Sequence, residues 1–542
     1  MKFKKIISLL LASVLMITSL AACGGSGEES STADNSSESS AEESSGESSA
    51  EDSSSESSAE ESSGEESPTM STINALSERV SVTAELGKAP KELDQMNPLI
   101  SQRYSADPTS VEYNGRVYVY STNDDQQYLT GSDENTYRDI NTLNVFSSDD
   151  MVNWIDHGYI DVKAASPRIT TSWAPSIVKR VEDDGLTHFY LFYAEDGWAT
   201  GVLTATDPLG PWTDPLGRAV ISPAYPEVEG YMVNCFDPGA YCDEDGTIYV
   251  SCGGGVVNTE AEPMSSAIVE LDDDLNIVGH PHVINAPYFF EASELNKING
   301  KYVYTYNSNW QPRDVPVEGY TPSPTCAMEY MISDSPTGPY TYKGYYFPNP
   351  GEAGFYWGNN HTHLQEFNGK WYLFYQSRML EQANGIEKGF RCVMAEEMTI
   401  SEDCTITPKK ATKTGVEQVK TQNAFDKHRA ATICSQAGIM TLAKEGAESG
   451  TTVVTDIQEG DWIRVKGVDF GDGASQFTAT VKGEGIIDIR LDDINSATVG
   501  SVDFNSEEEV NVVNSIDTIT GVHDVFFVFG GSDWEFDSWQ FS

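Results

Sequence analysis

The chain has 542 residues, with 84 Asp and Glu against 33 Lys and Arg, for a net charge of −51. That length holds two or three domains, and so acidic a balance excludes nucleic acid or another anionic polymer as a natural partner. Eight Cys without a C-x-x-C or a Cys/His cluster exclude a zinc framework, and a large exported domain has no need of a disulfide scaffold.

In chain order, Met1-Lys2-Phe3-Lys4-Lys5 is a basic start, Ile6 to Leu20 an apolar run, and small residues lead to Cys23. The run is short for a membrane span and has the layout of a secretory signal over residues 1–22. Its end, Leu20-Ala21-Ala22-Cys23, resembles the bacterial lipoprotein box. That resemblance implies lipid attachment at Cys23 and an extracellular protein anchored to the cell membrane; an ordinary signal peptide with an incidental Cys is the alternative. Residues 23–70 follow, mostly Ser, Glu, Ala and Gly from Gly24 to Pro68. Such a segment buries too little apolar surface to offset its ordering entropy and reads as a disordered tether. It carries about a quarter of the chain's net negative charge.

Residues 71–96 read as an irregular or partly helical lead-in. Between 97 and 406 one phrase then recurs five times, a Gly-centred turn followed by a strand rich in Tyr, Val and Phe. The turns lie at Gly115, Gly185, Gly246, Gly300 and Gly369. Each predicts a β-hairpin, and their spacing predicts a five-bladed β-propeller. Two near-copies, Thr206 to Trp212 and Ser333 to Tyr340, mark an equivalent outer turn in two blades. Residues 407–422 read as a polar linker. Short apolar strands between Gly, Asp and Ser turns over 423–542 predict a separate β-sandwich, so the fold class is all-β.

Counting back from each hairpin Gly aligns the blades. Asp107-Pro108, Asp237-Pro238 and Glu291-Ala292 fall in one register, His361 occupies it in the fifth blade, and Trp173-Ala174-Pro175-Ser176 takes its place in the second. Equivalent blade positions converge on the axis, and unpaired carboxylates are costly to bury without a purpose. Facing carboxylates suit glycoside hydrolysis, one protonating the departing oxygen and another activating water. A bound calcium ion is the competing reading of clustered acids.

Asn97-Pro98-Leu99, Ala106-Asp107-Pro108, Trp173-Ala174-Pro175, Phe236-Asp237-Pro238, Phe289-Phe290-Glu291-Ala292-Ser293 and Gly358-Asn359-Asn360-His361 together resemble glycoside hydrolase family 43. The resemblance implies an inverting enzyme with Asp107 as general base, Glu291 as general acid and Asp237 tuning and orienting the acid; Glu294 is the competing acid. It marks His361 as an axial histidine near an ion or water, with His363 a second candidate. Arg378 is a candidate sugar contact, and Trp173, Phe290 and Trp357 are candidate apolar walls.

The C-terminal strings Glu459-Gly460-Asp461-Trp462, Gly521-Val522-His523-Asp524 and Phe536-Asp537-Ser538-Trp539 resemble carbohydrate-binding module family 6. The segment 429–433 lacks the acids usual near that family's calcium, and Val453-Val454 replaces its usual aromatic. Trp534 is the remaining candidate sugar platform, and Trp462 reads as core. No cofactor is required; calcium at the propeller axis or in the C-terminal module is the one candidate. The resulting expectation is an α-L-arabinofuranosidase releasing arabinose from arabinoxylan. A β-xylosidase on xylo-oligosaccharides and a non-catalytic, surface-displayed glycan-binding lipoprotein are the alternatives.

Overall fold

The computed structural model describes residues 81–254, 265–310, 319–320 and 323–542, and the backbone of strand β1 (Thr72–Ile73). The signal segment, Cys23 and the acidic tether lie outside the described residues.

Five sheets form the propeller. Blade one holds β2 (Ala106–Tyr113), β3 (Arg116–Thr122), β4 (Thr142–Ser148) and β5 (Trp154–Asp161), with a short helix α1 (Asp124–Leu129) after β3. Blade two holds β6 (Ser172–Val181), β7 (Thr187–Glu195) and β8 (Ala199–Ala205). Blade three holds β9 (Gly239–Cys242), β10 (Ile248–Gly253), β11 (Ser266–Leu271) and β12 (His282–Val283). Blade four holds β13 (Phe289–Ile298), β14 (Lys301–Ser308), β15 (Met328–Ser333) and β16 (Thr341–Phe347). Blade five holds β17 (Thr362–Phe367), β18 (Lys370–Ser377) and β19 (Cys392–Met398).

All five anticipated hairpins join the first two strands of a blade. Asn114-Gly115, Asn299-Gly300 and Asn368-Gly369 all have positive φ, the two-residue type I′ turn that matches strand twist and that Asn-Gly tolerates best. The two outer turns are also equivalent: Trp212 packs edge-on against Tyr120, and Tyr340 leans on Tyr304. Each drops an aromatic ring into the core its blade shares with the preceding one. The ring closes where residues 97–105 run beside β19, with Leu99 N–H donating to Val393 O and Ser105 N–H to Arg391 O.

The C-terminal module is one eleven-stranded sheet that curls around its own core and includes β1. Its strands begin with β20 (Gln422–Asn423), β21 (His428–Arg429), β23 (Ser435–Ala437), β24 (Met440–Ala443) and β25 (Thr452–Thr455), while β22 (Thr432–Ile433), between β21 and β23 in the chain, lies outside this sheet. They continue with β26 (Trp462–Asp469), β27 (Ala474–Leu491), β28 (Gly500–Ile519), β29 (Val522–Gly531) and β30 (Glu535–Phe541).

The module is less separate than its composition suggests. Strand β22 pairs with β5 and extends blade one by a fifth strand. Beside it Arg103 and Asp156 form a buried ion pair at 2.7 Å, and both bond Thr441 of the module, Arg103 through the carbonyl and Asp156 through the hydroxyl. The segment 407–422 is a strap whose Ala411 and Val416 are buried and whose Val419 N–H donates to Asp150 O. The lead-in is irregular, with no helix among its described residues, and it belongs to the module. Val82 packs with Trp462 and Phe526, and Trp462 Nε1 donates to Gly87 O at 2.8 Å.

Candidate active site

Four blades enter the axis through a left-handed residue. Asp107 (φ 49°), Ala174 (φ 41°), Asp237 (φ 50°) and Ala292 (φ 55°) are all left-handed. In blades one, two and four the pairing register slips there, between Ala106 and Thr109, Trp173 and Ser176, and Glu291 and Glu294. A bulge of this kind bends the strand end and re-aims its side chains. The shared geometry corrects the alignment read from spacing: Ala292, not Glu291, is the equivalent of Asp107 and Ala174. Glu291 stands one residue earlier, in the place that Ala106 and Trp173 hold in their blades.

Asp107 is 5 % exposed and fully engaged. Its carboxylate accepts from Arg391 Nη1 at 2.9 Å and Thr122 Oγ1 at 2.7 Å, and His361 Nδ1 lies 3.5 Å away. Thr122 in turn accepts from Ala174 N–H, and Asp107 N–H donates to Gln376 Oε1. Arg391 is aimed by Asp124, which accepts from its Nε, Nη2 and backbone N–H at 2.8 to 3.0 Å. The Tyr137 ring covers the guanidinium at 4.9 Å, and Tyr137 O holds the Trp173 indole N–H at 2.9 Å.

The electrostatics divide the acids. Burial alone would push Asp107 up, but Arg391, then His361 and Thr122, hold its carboxyl well below the usual range. Burial pushes His361 down, yet its contact with Asp107 lifts it to about 9, so the ring is an imidazolium. The two cations are thereby committed to Asp107 and Asp124. Asp237, 8 % exposed, is pushed up to about 7 by burial and the nearby Asp107, against the pull of His361. Glu291 is pushed up to about 8 by burial and then by Asp237, with His361 and the Trp310 indole opposing. Asp237 and Glu291 titrate as a pair that keeps a proton near neutrality, beside an acid that does not. Asp237 also accepts the backbone N–H of Ala292, which joins blade three to blade four at this point.

Other residues fall differently from expectation. Glu294 is buried in a 2.8 Å pair with His363, so neither is free at the axis. Arg378 is bound to Glu381 at 2.7 Å and to Trp357 O at 2.8 Å, and its guanidinium lies over Tyr356; the arginine that meets the acids is Arg391. Trp173 and Phe290 are partly exposed at the rim, Phe290 beside Trp310. Trp357 is 50 % exposed, its ring seated on Gly351. Trp534 is no sugar platform. It is 1 % exposed, packs on Phe504 and Phe529 and donates its indole N–H to Gly530 O. An amphipathic ring in a Gly-rich loop sank inward because glycines at 483 and 485 leave room for it. The module's other tryptophans, Trp462 and Trp539, are buried too, and its exposed large apolar residues are Phe425, Leu442 and Val522.

Among the described residues no group of three or more His, Cys, Asp or Glu side chains is placed to hold a metal ion. The seven described Cys are all free thiols. Spacing from the hairpin turns missed Arg391, Asp124, Thr122, Tyr137 and Trp310, because these sit outside the first strand of each blade. The one signal for Arg391 was a lone cation in the apolar run Phe390 to Met394.

Crowded carboxyls in opposite protonation states at the axis of a five-bladed propeller define the class: the protein is a glycosidase. Sequence comparison specifies the family. The pattern of Glycosyl hydrolases family 43 matches residues 95–406, and that of Carbohydrate binding module (family 6) matches residues 429–542. The chain is 36 % identical over 508 residues to an arabinoxylan arabinofuranohydrolase of Bacillus subtilis, covering 87 % of this chain and 97 % of the relative. It is 36 % identical over 479 residues to an arabinoxylan arabinofuranohydrolase of Paenibacillus polymyxa, covering 82 % and 74 %. A crystal structure of a family 43 arabinoxylan arabinofuranohydrolase from Bacillus subtilis in complex with cellotetraose superposes with a TM-score of 0.78 at 35 % identity, over 84 % of this chain and 99 % of that one. The chain belongs to glycosyl hydrolases family 43, with a family 6 carbohydrate-binding module.

Proposed function

We propose that the protein releases L-arabinose from arabinoxylan as an inverting α-L-arabinofuranosidase. The observation that carries the reaction is the division of protonation at one axis: Asp107 ionised between Arg391 and His361, Glu291 raised to about 8. An ionised Asp107 takes a proton from water as that water attacks the anomeric carbon. A protonated Glu291 gives its proton to the departing glycosidic oxygen. Asp237 raises the acid's affinity for that proton and, through Ala292 N–H, aligns the strand end that carries it. The reaction draws on the chain's own acids and requires no cofactor. The substrate assignment rests on two relatives named arabinoxylan arabinofuranohydrolase, of which this chain matches 97 % and 74 % of the length.

The leader and tether extend the proposal to location: an extracellular enzyme held to the membrane by lipid on Cys23. Cys23→Ser should release it from the membrane fraction, and retention of that variant would overturn the anchor.

The test of function is arabinose release from arabinoxylan by wild type and by Glu291→Gln, with the first-formed anomer followed by NMR. Wild type should yield inverted product and the variant almost none. Retained configuration, or full release by the variant, would overturn the mechanism; xylose as the sole product would overturn the substrate.

A further inference from the structure

We propose that Trp310 positions the acid: its indole N–H dictates which oxygen of Glu291 carries the transferable proton, and its open ring face seats the leaving-group sugar. The proposal rests on the reading of Glu291 as the acid.

Trp310 follows β14 by two residues, and its approach is pinned on both sides. Asn309 N–H donates to Tyr288 O at 3.1 Å, and Cys326 N–H donates to Asn309 O at 2.8 Å. The ring then lies 5.8 Å from Phe290, and Nε1 donates to Glu291 Oε1 at 3.2 Å. An indole N–H only donates. In a neutral carboxyl the carbonyl oxygen is the better acceptor, so the N–H selects Oε1 as the carbonyl and leaves the acidic proton on Oε2. The same contact does a second thing. It favours the ionised acid, opposing the burial and the Asp237 charge that hold the proton on, so that the acid releases it in the transition state.

Trp310 is 36 % exposed, unlike the buried tryptophans of the module. The acid delivers its proton to the oxygen that stays with the polymer, so the group beside the acid meets the leaving sugar. An aromatic face there suits stacking on the C–H face of a pyranose. The other groups whose charge reaches Glu291 are Asp237 of blade three, His361 of blade five and Asp107 of blade one; Tyr137 and Cys326, pushed up by burial and by the Glu291 charge, stay neutral. None of these is changed by substituting Trp310, so a shift in pH profile reports the indole.

Two variants separate the roles. Trp310→Phe keeps a ring and removes the N–H; Trp310→Ala removes both. They are compared on arabinoxylo-oligosaccharides, whose leaving group needs the proton, and on 4-nitrophenyl α-L-arabinofuranoside, whose leaving group does not. Trp310→Phe should lower kcat on the oligosaccharide about 3- to 10-fold, the range of one net hydrogen bond. It should leave KM and the nitrophenyl rate near wild type, and move the alkaline limb of kcat/KM to higher pH. Trp310→Ala should add a rise in oligosaccharide KM. Equal losses on both substrates, or an alkaline limb that stays in place, would overturn the proposal. Glu291→Gln run alongside distinguishes the two levels: if it hydrolyses the oligosaccharide normally, the assignment of the acid fails, whatever the Trp310 variants do.

Discussion

The propeller axis and the C-terminal module both bury charge among antiparallel strands, and they do so in opposite ways. In the module each buried arginine has its own acid: Arg490 with Asp488 at 2.8 Å, Arg464 with Asp524 at 2.6 Å. At the axis Arg391 is shared by Asp107 and Asp124, His361 leans on Asp107, and Asp237 and Glu291 are left without a cation of their own. Matched charges make a scaffold; a surplus of acids makes groups that must hold protons and can therefore give them away. The aromatic rings divide the same way. The module's tryptophans are all buried, whereas Trp173, Phe290, Trp310 and Trp357 keep open surface on the propeller.

The sharpest way to break this contrast is to remove one acid from the axis. Asp107→Asn should cut kcat per folded molecule about 10²- to 10⁴-fold, the usual weight of a general base, and also lower the melting temperature, because Arg391 and His361 lose their buried carboxylate. Steady-state rates on arabinoxylan with a parallel thermal melt decide it, and a variant that loses activity only by unfolding would erase the distinction. The complementary change is Trp534→Ala in the module. Deleting a buried Trp should cost about 3–5 kcal/mol in denaturant unfolding and leave the rate per folded molecule unchanged. A loss of polysaccharide binding without a loss of stability would return Trp534 to the surface role that its loop first suggested.

A smaller effect separates the regions by pH. Glu291 is raised from about 4.5 to about 8, so the folded state binds more protons than the unfolded state between those values. Stability contributed by this group therefore falls as pH rises through that window, and is highest below it. Glu291→Gln should melt higher than wild type at pH 8.5 and alike at pH 4.5, and kcat/KM of wild type should decline above about pH 8. A melting difference of the same size at both pH values would show that packing, and not the proton, distinguishes the variant. The smallest expected effect is that of chelation. Dialysis against EDTA should leave rate and melting temperature unchanged if protein cations alone balance the axis; a fall reversed by calcium would place an ion there.

Much of this architecture was legible before any coordinates. Asn-Gly turns and the aromatic strands that follow them are local properties of the chain, so all five hairpins appear where the residues put them. The acids were also legible, because Asp-Pro and Phe-Glu-Ala interrupt otherwise apolar strand starts. Their alignment was not: Glu291 sits one residue ahead of the position Asp107 holds, since the bulge at Ala292 replaces the simple count from the turn. Sequence pointed to Arg378 as the sugar contact and not to Arg391, and only the packing of Glu381 against the one and Asp107 against the other separates them.

Sequence by itself determined the repeat, the all-β class, the three acids and the family, because turn chemistry, strand pattern and motif spacing are written within a few residues of one another. Tertiary structure alone decided which acid is ionised, that Trp534 is core, and that β22 welds the module to blade one. Each of these depends on partners far apart in the chain. Arg391 reaches Asp107 across 284 positions, Arg103 reaches Thr441 across 338, and no local pattern carries the energy of such a contact.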